Sequence, residues 1–96
     1  MGDKEYIVYL HINKINRNVY VGITHYTNPE KRWQLGYKSN PHLQSAITKY
    51  GWETFNHVIL FKGLSKDIAC DIERTLIKKY KKNNISYNIA NGGEGT

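Results

Sequence analysis

The sequence predicts an α+β domain, a small antiparallel sheet covered by helices. Three observations predict it. Two short apolar runs flank the polar stretch NKINRN and read as a hairpin, Asn-Pro pairs closed downstream by glycine mark two helices, and a serine-capped segment near the C-terminus carries apolar residues at helical spacing.

Residues 6–12 form the first predicted strand, with Tyr6, Val8, Leu10 and Ile12 on one face and Ile7, Tyr9 and His11 on the other. After the turn at 13–18 the chain returns over 19–23, with Val19, Val21 and Ile23 on one face and Tyr20 and Gly22 opposite. A hairpin folded midway through its loop makes Tyr9 and Tyr20 close cross-strand neighbours. Asn28 and Pro29 then start a short helix through Arg32 and Trp33 that Gly36 stops. Asn40, Pro41 and Gly51 bracket a second helix, whose apolar stripe is Leu43, Ala46, Ile47 and Tyr50. The run FNHVILF (55–61) is apolar enough for a third, more buried strand. Ser65 caps a long helix over roughly 66–82, with Asp67 in its first turn and Lys78, Lys79, Lys81 and Lys82 towards its end, each suited to the helix dipole. The tail ISYNIANGGEGT is irregular and glycine-rich.

At 96 residues without repeat or internal linker, the chain (1–96) is expected to be a single domain. Fourteen Lys and Arg against eight acids give a net charge of +6, which favours a polyanionic partner such as nucleic acid. A single cysteine, Cys70, rules out an intrachain disulfide and points to a reducing, cytoplasmic home. No stretch reaches membrane-spanning length and the N-terminal segment lacks the apolar core of a secretory signal, so neither a membrane span nor secretion is expected.

Glu73 is the most informative anomaly. It falls inside the stripe Ile68, Ala69, Ile72, Leu76, Ile77 and Tyr80 of the long helix. A carboxylate there is either paired at the edge of the core or a stem reaching out to water, or else a metal ligand or general acid/base. Tyr9 and Tyr20 are either core aromatics or phenols lining a pocket beside Gly22, where a missing side chain permits close approach. Arg32 is a surface arginine or a fork for two phosphate oxygens. Asn88 fits a turn cap. The histidines, His11, His25, His42 and His57, lack zinc-ligand spacing.

Taken in order, these elements resemble the GIY-YIG nuclease domain over nearly the whole chain, from Tyr6 to Gly95. IVY (7–9) and YVG (20–22) stand where the family has its two tripeptides, followed by KRW with Arg32, HLQSAITKYGWETF, IERTLIKKY with Glu73, and YNIANGG with Asn88. The resemblance implies a three-stranded antiparallel sheet flanked by helices, and divalent-metal-dependent hydrolysis of a DNA phosphodiester. It implies one Mg²⁺ or Mn²⁺ per site on Glu73, with waters and the substrate phosphate completing the shell. Tyr9 is then the candidate base that aligns or deprotonates water, Tyr20 positions the water or phosphate, Arg32 stabilises developing charge, and Asn88 supports the metal ligand or site loop. Ile7 and Val8 depart from the family's Gly-Ile opening. Gly36 stands where members often carry a histidine or tyrosine, leaving Tyr37 or His25 as the proton acceptor for Tyr9. The family commonly joins this domain to a separate DNA-binding region. The alternative reading is a catalytically inactive nucleic-acid-binding module on the same fold, with sheet tyrosines stacking on bases.

Overall fold

In the computed structural model, which describes residues 4–89, the strands are β1 (Tyr6–Asn13), β2 (Val19–Thr24) and β3 (Phe55–Leu64), and the helices are α1 (Pro29–Gln34), α2 (Pro41–Tyr50) and α3 (Lys66–Lys82). The strands form one antiparallel sheet in the order β2-β1-β3, so β1 is central. Side-chain alternation assigns the two faces. Val8, Leu10, Val19 and Val21 pack with Ala69 and Ile77 of α3. On the other side Tyr9 and Tyr20 pack with Tyr37, Leu43 and Ala46 of the α1–α2 layer, together with Phe55 and Tyr87.

Each helix starts as its sequence dictates. Asn28 Oδ1 accepts from Glu30 N at 3.0 Å, Asn40 Oδ1 from Leu43 N at 3.0 Å and Ser65 Oγ from Ile68 N at 3.3 Å, satisfying amides that the first helical turn leaves open. Gly36 and Gly51, at φ +82° and +89°, turn the chain out of α1 and α2 in a conformation that costs other residues dearly.

Two expectations are corrected here. The third strand extends to Leu64, beyond residue 61, and it is an edge rather than a more buried strand, with Ile59, Leu60 and Phe61 exposed at 38%, 37% and 48%. Its apolar run resembles a buried strand, but only Val58 and Leu64 reach the cluster beneath α3. Register shifts against β1 between Tyr6 and Val8, and between Val8 and Tyr9, further distort this edge. The opposite edge is covered. Val19 N donates to Ile85 O at 2.7 Å and accepts Tyr87 N on its carbonyl at 2.8 Å, while Asn88 continues the pairing with its side chain. The glycine-rich end of the predicted tail, 90–96, lies outside the described residues.

No described helix is long and apolar enough to cross a membrane.

Candidate active site

The hairpin register places Tyr9 opposite Gly22 and His11 opposite Tyr20. Tyr9 and Tyr20 are therefore diagonal neighbours on one face, with ring centroids 6.5 Å apart. The expectation that Gly22 leaves room for a ligand is corrected: the Tyr9 ring itself fills that room. A Cβ on Gly22 would overlap Tyr9 Cζ and Oη, so the glycine is the condition for the phenol's position.

Both phenols are buried, Tyr9 fully. Burial pushes the Tyr9, Tyr20 and Tyr37 hydroxyls above the usual tyrosine value of 10.0, so all three stay protonated near neutral pH. Tyr9 Oη lies 3.3 Å from Tyr37 Oη, which is 2.7 Å from His11 Nε2. His11 Nδ1 is in turn 2.9 Å from His57 Nδ1. His11 is wholly buried, and desolvation, then His57 and Arg32, hold it neutral with a pKa lowered to about 2. His57 is half-buried and its pKa is also lowered, chiefly by desolvation.

Arg32 connects this group electrostatically. Its Cζ sits 4.7 Å from the centroid of the Tyr37 ring and its Nη1 donates to Gly36 O at 3.1 Å. Its charge acts in the same sense on Tyr9, Tyr20, Tyr37 and His11, opposing protonation of each. Trp33 meets the Tyr9 ring edge-on, and its buried Nε1 donor has no hydrogen-bond acceptor among the described residues. Beside them opens a cavity of about 590 Å³ bounded by α1, α2 and β3, with Trp33, Tyr37, Gln44, Trp52 and His57 in its wall.

Glu73 is fully buried on α3, which packs against the sheet face opposite the phenols. Its charge nonetheless raises both Tyr9 and Tyr20, which places it within electrostatic reach of the hairpin. Among the described residues no cluster of three His, Cys, Asp or Glu could hold an ion, and Glu73 offers a single buried carboxylate. That donor fits a hard divalent cation, which keeps most of its water and takes one or two carboxylates plus phosphate oxygens. Asn88 grips β2 from outside: its Oδ1 accepts from Val21 N and its Nδ2 donates to Val21 O, both at 2.9 Å.

The structure thus gathers Tyr9, Tyr20, Gly22, Arg32 and Tyr37 on one face, with Glu73 beneath the sheet and Asn88 at its edge. His25 stands apart, its ring near those of Tyr6 and Tyr26. Of the two proposed acceptors for Tyr9, Tyr37 holds the hydrogen bond. The pair joined to this group that the sequence reading did not single out is His11 and His57. Zinc spacing is silent about them, but the strand alternation that set His11 on the Tyr9 face was a usable signal.

Three antiparallel strands with flanking helices define a small α+β domain. The sequence profile of the GIY-YIG catalytic domain matches residues 5–88, and the chain belongs to that family. Among solved structures it is similar to the catalytic domain of intron endonuclease I-TevI, in a mutant form, with 29% identity and a TM-score of 0.76 over 95% of this chain and 99% of the other. A comparison with curated proteins gave no match.

Proposed function

We propose that this chain is a divalent-metal-dependent DNA endonuclease domain that hydrolyses a phosphodiester bond. The observation that carries the reading is the match of the GIY-YIG catalytic domain over residues 5–88, with Tyr9 and Tyr20 on one sheet face and Arg32 against the adjoining Tyr37 ring. Tyr9 accepts a hydrogen bond from the attacking water and takes its proton as its own hydroxyl proton leaves on the other side, and Tyr20 positions that water or the phosphate. Arg32 offers its guanidinium fork to phosphate oxygens as charge develops on them. Glu73 would hold one divalent ion, Mg²⁺ or Mn²⁺, which when bound would supply charge neutralisation at the phosphate and at the departing 3′ oxygen. Gly22 leaves room for the Tyr9 ring, and Asn88 holds β2 at Val21, next to Tyr20. Tyr9 is fully buried with Trp33 of α1 against its ring, so substrate contact requires the residues that cover it to shift on binding.

DNA is the partner this reading requires, and the basic charge supports it. A separate DNA-binding region would supply target choice, and cutting both strands from one site calls for a dimer or two successive nicks. The test is conversion of supercoiled plasmid to nicked or linear form with Mg²⁺, Mn²⁺ or EDTA. Metal-dependent cutting that Glu73→Ala and Tyr9→Phe both abolish supports the assignment. DNA binding without cutting would instead support the inactive module on the same fold.

A further inference from the structure

His11 and His57 have no part in the roles above, yet both are wired to Tyr9. The contacts run from Tyr9 Oη to Tyr37 Oη (3.3 Å), to His11 Nε2 (2.7 Å), and from His11 Nδ1 to His57 Nδ1 (2.9 Å). The first three members are buried, whereas His57 is half-buried and lines the same cavity as Tyr37. Two ring nitrogens at hydrogen-bond distance share one proton, so the two imidazoles must differ: one donates from Nδ1 and the other accepts there.

We propose that Tyr37, His11 and His57 are positioning residues that aim the Tyr9 proton away from the reacting water and carry it to the cavity during cleavage. The proposal rests on the nuclease reading. In the resting direction the Tyr9 hydroxyl donates to Tyr37, Tyr37 donates to His11 Nε2, and His11 Nδ1–H donates to His57 Nδ1. The Tyr9 lone pairs are then free to accept from water.

As the water O–H breaks, its proton goes to Tyr9 and its oxygen bonds to phosphorus, while the bond from phosphorus to the 3′ oxygen breaks and its electron pair leaves on that oxygen. The original Tyr9 proton passes to Tyr37, the Tyr37 proton to His11 Nε2, and the His11 Nδ1 proton to His57. Each bond broken is matched by one formed. Tyr9, Tyr37 and His11 end neutral, with His11 in its other tautomer, and the positive charge appears only on His57, which releases the proton to solvent.

This route suits the burial of the first three members, which opposes charge on each of them. The groups facing His57 are His11 from β1, Lys14 from the hairpin turn, the Trp52 carbonyl that accepts from its ring, and Glu30 and Tyr37 in the cavity wall. Arg32 acts on the His11 end.

Two measurements on the whole chain test the relay. Nitrogen-15 NMR at neutral pH is expected to show opposite tautomers, His11 protonated on Nδ1 and His57 on Nε2; both rings protonated on Nε2 would overturn the relay. In plasmid nicking, Tyr37→Phe and His57→Ala are expected to lower kcat by about 10- to 100-fold with KM unchanged. His57→Ala is also expected to lose the acid limb of the pH profile and to recover activity with added imidazole. Circular dichroism checks that these variants keep the wild-type fold. Wild-type nicking that both variants match would overturn the relay alone, whereas a wild type that never nicks overturns the nuclease reading and the relay's role together.

Discussion

Gly22 and Tyr9 occupy one another's space, and a single methyl group decides between them. Gly22→Ala is expected to destabilise the domain by about 1–3 kcal/mol through overpacking against the phenol ring. That corresponds to a melting temperature lower by about 4–8 °C for each kcal/mol in a chain of this size. His11 sets a second expectation. Its folded pKa lies at about 2 against an ordinary 6.5, so below pH 6.5 the unfolded chain binds a proton that the folded chain refuses. This share of stability is complete above pH 6.5 and is lost progressively as pH falls towards 2, with His57 acting in the same direction. The buried phenols give the mirror case, with stability present below pH 10 and lost as pH rises past it. Urea midpoints across pH measure both limbs, and His11→Phe is expected to flatten the acid one. The shared face of Tyr9 and Tyr20 and the place of Glu73 on the inward side of α3 were legible in the sequence, the first from strand alternation and the second from helical spacing. The bond from His11 to His57 was not: it spans 46 positions and depends on the β1–β3 register, which no local pattern states.

Among the elements, β2 depends most on a distant residue. Asn88 meets both the N–H and the C=O of buried Val21, so Asn88→Ala leaves two backbone groups open and is expected to cost about 1–3 kcal/mol. Faster hydrogen exchange at the Val21 amide than in the wild type, with a lower denaturant midpoint, checks it. The three helices were legible almost to the residue, since Asn28-Pro29, Asn40-Pro41 and Ser65 are physical start signals that work locally. The exposure of β3 was illegible for the converse reason. An apolar run looks alike in the middle of a sheet and at its rim, and only strand order distinguishes the two.

At the scale of the whole molecule, the proposed function together with the net charge of +6 predicts phosphate contact as the main source of affinity for DNA. Binding to duplex DNA is expected to weaken by at least about tenfold between 50 and 200 mM salt if a few phosphates are neutralised, with little dependence on base sequence. Fluorescence anisotropy over a salt series with two unrelated duplexes measures it, and a flat salt response would count against a phosphate-led mode. The two rims of the sheet differ in kind. The β2 rim is occupied by the chain's own residues 85–88, while among the described residues the β3 rim has no strand beside it and shows Ile59, Leu60 and Phe61 to water. In polymer terms the sheet is a chain stopper, with a valence of one for strand addition. Pairing of two copies through β3 would consume the open rim of each, so such association would end at a dimer and would not propagate into a fibre.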